Sequence, residues 1–192
     1  SSLTVFPLYL VGCRLWGGWI GGILVVCFYA VMPPAWMRSI TSFSREDFTL
    51  TFLFTGLACF GLSQGRHRER WMPWLASVAL SLAAISWHIT NFAIAILFAY
   101  AIVAYFVYSD ERESLFDALW PVVLLLALTG IASDLLRNKW FVTSTTMLVG
   151  YGLLAAPLIG ERLRLSTPAR LGILIGLPVL AHIILSSLVG EN

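Results

Sequence analysis

His88 and His182 are the residues whose type and setting point most directly to chemistry. Both stand in strongly apolar stretches, and His182 follows one turn after Pro178 in the run Leu180-Ala181-His182-Ile183. Neutral imidazole can ligate a metal or haem iron, or carry a proton. At membrane depth an ionisable side chain is costly to keep, so it stands as a functional hypothesis by default. Two histidines on different helices could share one haem. Span assignment puts His88 near a bilayer surface and His182 near its middle, which argues against a shared iron. A neutral histidine bonded to a helix carbonyl is the plain alternative.

Hydroxyls form the second candidate group. Thr143, Ser144, Thr145 and Thr146 stand together, and Thr143 and Thr146 share a helical face with Gly150, just before Tyr151. Such hydroxyls can line an aqueous route or glue helices together. They can also bond to carbonyls of their own helix at little cost. Gly150, Gly152, Pro157 and Pro178 make this part of the chain the least regular, and a site is expected here first. Asp117 and Asp134 read as residues at helix ends. Asp134 is spaced to pair with Arg137 at i,i+3.

Gly17-Gly18-Trp19-Ile20-Gly21-Gly22 holds two overlapping small-xxx-small pairs, Gly17/Gly21 and Gly18/Gly22. On one helix they would form a flat stripe that admits a second backbone, inside the bundle or at a subunit contact. Gly172/Gly176 and Ser77/Ser81 repeat the spacing more weakly. Other chemistries lack their motifs. There is no HExxH or CxxC for a metal, no GxSxG nucleophile and no glycine-rich phosphate loop. The single lysine, Lys139, is expected in a loop. Cys13, Cys27 and Cys59 are scattered, which argues against a disulfide framework. The sequence indicates no metal site and leaves the cofactor undefined.

The elements that must carry these residues are apolar helices. Residues of the AVILMFWYC set make up 59% of the chain and charged residues 11%, with mean hydropathy +0.85. Soluble domains carry about a quarter charged residues. No Asp, Glu, Lys or Arg occurs in residues 71–107. A hydrocarbon core about 30 Å thick takes roughly 20 helical residues. That run is therefore too long for one ordinary span and long enough for two short ones, with a turn at Ser86-Trp87-His88-Ile89-Thr90-Asn91.

Seven apolar segments are expected, at about 15–32, 48–64, 71–87, 91–108, 115–133, 140–160 and 169–189. Residues 1–13, which include Pro7, would extend the first helix or lie flat at the interface. Pro33-Pro34 closes the first span. The fold class is thus all-α: one integral membrane domain over 1–192, a transmembrane bundle of about seven helices, with six as the alternative.

Charge decides between seven and six, because lysine and arginine favour the cytoplasmic side of short loops. Two spans within 71–107 put Arg14, Arg66, Arg68, Arg70, Arg112, Arg162, Arg164 and Arg170 on one side. The other side keeps Arg38, Arg45, Arg137 and Lys139. One long span would erase that bias. The expectation is an N-terminus in the cytoplasm, a C-terminus outside, and the cell inner membrane as location. Trp36, Trp71, Trp74, Trp120 and Trp140 fall near span ends, where indole favours the headgroup region.

The net charge of +2 gives no reason to expect a nucleic-acid partner. The expected partners are the lipid bilayer and either further copies of the chain or other membrane subunits. A small bundle with scant loops and an irregular polar pair of helices suggests a transport or channel-like component or a membrane subunit of an envelope complex. The alternatives are a membrane enzyme or redox protein acting on a lipid-soluble substrate, and a membrane sensor or scaffold.

Overall fold

A computed structural model describes residues 2–31, 45–64, 69–86, 90–107, 112–162 and 167–189. Among them every regular element is helical, and there is no strand. The helices are α1 (Ser2–Trp16), α2 (Trp19–Val31), α3 (Arg45–Ser63), α4 (Met72–Ser86), α5 (Thr90–Val107), α6 (Arg112–Ala132), the four-residue α7 (Asp134–Arg137), α8 (Thr145–Arg162) and α9 (Thr167–Val189). A 3-10 turn, Phe141–Thr143, lies between α7 and α8. The contacts group the chain into two compact units, Ser1–Thr90 and Asn91–Asn192. Among the described residues two helices, α5 and α6, are long and apolar enough to cross a membrane, by length and composition.

The first unit begins with a departure from the expected segment at 15–32. Residues 2–16 neither extend that helix nor lie apart from it; they form α1, which folds back along α2. Gly17 explains the break. Its φ of +70° is left-handed, and the Gly18 N–H donates to Cys13 O over 3.1 Å. A left-handed glycine followed by this backward bond is the Schellman way of ending a helix. Gly18 O then accepts from the Gly21 N–H at 3.1 Å and so opens α2. Gly17 and Gly18 therefore belong to a turn, and a Cβ on either would meet nothing within 4 Å. The expected four-glycine stripe on one helix does not form. Gly21 and Gly22 instead face α1, where Gly12, Tyr9 and Cys13 approach them.

The third helix runs alongside α1 in the same direction. Thr4 and Thr51 share a hydrogen bond of 2.8 Å near the start of both helices, and Arg14 donates to Gln64 O at 2.6 Å near their ends. Helix α4 packs on α3 through Gly56, whose missing side chain makes room for Leu80. Ala76, Ala79, Leu80, Ala83 and Ala84 are buried on one face of α4, at the spacing of a helical stripe.

The charge-free run of 71–107 divides into α4 and α5, and residues 87–89 lie outside the described set. Thr90 Oγ1 donates to Ala83 O at 3.0 Å. Seven residues of straight helix rise about 10.5 Å, beyond a threonine's reach.

In the second unit, α5 buries Ile94, Leu97, Phe98, Ala101 and Ala104, while α6 buries Leu115, Ala118, Leu119, Val122, Val123 and Leu126. Gly150 of α8 lies against Phe98 and Val123, so α8 touches both helices. Gly152 admits the Leu174 carbonyl and Pro178 of α9. The segment expected as a span at 140–160 begins later than its apolar pattern suggests. Residues 140–144 form the turn ahead of α8, and Ser144 Oγ accepts from the Met147 N–H at 3.4 Å. That is the N-cap arrangement, which serine favours because it satisfies an orphan donor.

Candidate functional site

Buried polar side chains gather in the first unit. Thr4, Thr49, Ser63, Gln64, Ser77, Ser81 and Thr90 are buried among the described residues, and all fall within Ser1–Thr90. Burying a hydroxyl without a partner costs about 1–3 kcal/mol, so each should find an acceptor. Two of them, Ser63 and Ser77, do so within their own helix, as does the half-buried Thr55. Ser63 Oγ donates to Phe60 O at 2.6 Å, Ser77 Oγ to Pro73 O at 2.6 Å and Thr55 Oγ1 to Thr51 O at 2.7 Å. The Thr4–Thr51 bond joins two helices. Ser81 Oγ is buried with no hydrogen-bond partner among the described residues. Ser77 and Ser81 lie one turn apart on α4, and so on one face.

On α3 the polar side chains fall in two groups, Thr51 and Thr55 towards one end and Ser63 and Gln64 at the other, with residues 56–62 between them apolar and about 20 Å from Thr51 to Gln64 at the helical rise per residue. The Thr4–Thr51 pair marks one end, and the Arg14 guanidinium on Gln64 O marks the other. The hydroxyls of Thr55, Ser63 and Ser77 are matched by carbonyls of their own helices and need no ligand. Ser81 is one position among the described residues where a buried hydroxyl has no hydrogen-bond partner.

A second polar feature lies where α6 gives way to α8. A cavity of about 450 Å³ is lined by Gly130, Ile131, Arg137, Asn138, Trp140, Phe141, Val142 and Thr143. Phe141 is buried and packs against Gly130, where a Cβ would come within 2.9 Å of its ring. Trp140 has φ +52° and ψ +35°, a left-handed conformation uncommon for a bulky side chain. Asp134 and Arg137 make the expected i,i+3 ion pair in α7. Both are exposed, so the pair adds little stability.

The sequence-derived site residues scatter. Thr143 borders this cavity, but it sits in the 3-10 turn and its hydroxyl donates to Trp140 O at 3.1 Å. It does not share an α8 face with Thr146 and Gly150, because α8 starts at Thr145. Thr146 and Tyr151 are half-buried in α8. His182 lies on α9 beyond Pro178, with its side chain outside the described set, and His88 is outside it altogether. The shared-haem reading therefore falls outside the described residues. Among those residues no group of three or more His, Cys, Asp or Glu is placed to hold a metal ion.

The sequence reading missed the Thr4–Thr51 pair because residues 1–13 were left without a helix of their own. The Ser77/Ser81 spacing is visible in the sequence, but spacing alone does not show that the Ser81 hydroxyl is buried without a partner. No family model, curated protein or solved structure matches this chain.

Proposed function

We propose that this chain is an integral protein of the cell inner membrane, built as a transmembrane helical bundle, and that it works as a transport or channel-like component of a larger envelope assembly. The observation that carries the transport reading is the polar seam of α1, α3 and α4 inside otherwise apolar helices. Polar groups at membrane depth are expensive and tend to mark a pathway or a contact.

The bilayer as surrounding solvent is supported by what the helices expose. Phe6, Leu15, Trp16, Trp19, Phe28 and Phe92 are each at least 65% exposed. Large apolar side chains exposed on both units are favourable against lipid, which supplies them with a cover.

With the α1–α2 hairpin we propose an orientation other than the expected one. Its two ends lie on the same side whether it crosses the bilayer or only enters it. Arg14 stays with Gln64 and the arginines that follow α3, the side richer in positive charge. Residues 1–13 carry no charge, so the split of eight basic residues to four is unchanged. The N-terminus then belongs on the non-cytoplasmic side with the C-terminus. Counting α1 as a span gives eight apolar helices in place of seven.

An aqueous route predicts solvent access at the Ser81 hydroxyl. In a variant lacking Cys13, Cys27 and Cys59, Ser81→Cys should react with a membrane-impermeant thiol reagent in intact membranes. Val123→Cys, buried among apolar side chains in the second unit, should not react. Protection of both cysteines would make the seam packing and remove the basis for transport. A second reading, an enzyme acting on a lipid-soluble substrate, is favoured by the 450 Å³ cavity, where Arg137, Asn138 and Thr143 adjoin apolar walls.

A further inference from the structure

The cavity beside Trp140 has a lining that favours one kind of ligand. It lies within the second unit and holds about 450 Å³. Small-molecule sites span about 300–1,000 Å³. Phe141, packed on Gly130, makes its apolar side together with Ile131 and Val142. Arg137, Asn138 and Thr143 supply its polar groups.

Charge and hydrogen-bonding capacity narrow the occupant. Arg137 is ion-paired with Asp134, so the pair adds no net charge to hold an anion. Asn138 closes α7 through its backbone N–H, which donates to Asp134 O at 3.0 Å, and its side-chain amide takes no part in that bond. The amide can donate from Nδ2 and accept at Oδ1. Thr143 gives its hydroxyl proton to Trp140 O, so its oxygen can only accept from a ligand. A phosphate or quinone oxygen only accepts, which leaves the acceptors of Asn138 and Thr143 unmatched. A hydroxyl both donates and accepts, and matches them.

Trp140 and α6 put that ligand in the membrane. Trp140 keeps a left-handed backbone that glycine adopts without strain, yet it presents an indole that is 62% exposed. An outlier of this kind points to a use for the side chain beyond stability. Leu124, Leu128 and Ile131 are exposed at spacings of four and three along α6, and so on one face. That apolar stripe reaches the cavity at Ile131 and gives a lipid tail a surface to lie on.

We propose that this cavity binds the free hydroxyl of an uncharged lipid, such as a diacylglycerol, at Asn138 and Thr143, beside the Trp140 indole and with the tail along α6. The proposal rests on the membrane reading above and names a ligand class for the cavity of the second reading.

Native mass spectrometry of the full chain, purified in detergent with defined lipid, tests it. Wild type should retain dioleoylglycerol about fivefold better than its 3-acetyl ester, which lacks the hydroxyl proton; that ratio is the scale of one neutral hydrogen bond. Asn138→Leu and Trp140→Gly should each lower dioleoylglycerol retention several-fold, and Ser81→Ala, in the first unit, should retain it as wild type does. The comparison of alcohol with ester uses wild type alone, so it stands even if a variant does not fold. Equal retention of the two would overturn the hydroxyl recognition. Wild-type retention by a folded Asn138→Leu would overturn the site. Preference for dioleoyl phosphatidic acid would make this an anion site on Arg137 and overturn the uncharged ligand. Displacement of dioleoylglycerol by a long-chain prenol would keep the hydroxyl site and make its ligand single-tailed. A chain that needs detergent yet holds no added lipid sinks this proposal alone. A chain soluble without detergent sinks the membrane reading as well.

Discussion

The glycines at the start of the chain divide into two kinds, and substituting them one at a time separates the kinds by energy. Gly12 is the contact glycine. A Cβ there would sit 2.7 Å from Gly21 O and 2.9 Å from Gly22 Cα. Both are backbone atoms, so no rotamer change can relieve the overlap and the two helices must move apart. Overpacking of a core costs about 1–3 kcal/mol, and a clash with main chain belongs at the upper end, about 3 kcal/mol for Gly12→Ala. Gly17 is a conformational glycine. It has open space but a left-handed φ, so Gly17→Ala should cost about 1 kcal/mol. Gly18 has open space and no such φ, and Gly18→Ala should fall within about 0.5 kcal/mol of wild type.

Thermal unfolding in detergent, followed by helical circular dichroism, reads the series. About 2–4 °C per kcal/mol for a chain of this size puts Gly12→Ala about 6–12 °C below wild type. Gly17→Ala should fall between that variant and Gly18→Ala. If Gly18→Ala melted as low as Gly12→Ala, the glycines would be acting as one helical stripe, and the turn at Gly17 would be wrong.

The second unit yields two further expectations. Ser144→Ala removes the oxygen that caps α8 and should cost about 1 kcal/mol, read in the same melting assay, whereas Ser144→Asp should restore most of it. Trp140→Gly removes the left-handed penalty and should leave the melting temperature in detergent unchanged or higher. A large drop would mean that the indole contributes more than its backbone costs.

The positions of the helices could be read in the sequence because long apolar runs and their charged flanks leave few places for a helix to stop. The expected segments at 48–64, 71–87, 91–108, 115–133 and 169–189 differ from α3, α4, α5, α6 and α9 by a few residues. The split of 71–107 could also be read, because two helices give a charge bias that one would erase. The start of the chain misled for a specific reason. Glycine pairs four apart fit a helical stripe, but a left-handed glycine followed by a second glycine also fits a helix end, and spacing alone does not choose. The hydroxyls at 143–146 posed the same problem, since a threonine and serine cluster suits both a polar face and an N-cap. The cavity between α6 and the turn ahead of α8 had no sequence signal, because its walls meet through the packing of Phe141 on Gly130.

Reporters fused separately before Ser1 and after Asn192, each read for cytoplasmic or non-cytoplasmic exposure in intact cells, test the central claim most directly. A hairpin of α1 and α2 whose Arg14 end faces the cytoplasm predicts that both termini read as non-cytoplasmic. A cytoplasmic N-terminus with an external C-terminus would restore the seven-span arrangement and contradict the hairpin's placement. Two cytoplasmic termini would contradict the proposed orientation altogether.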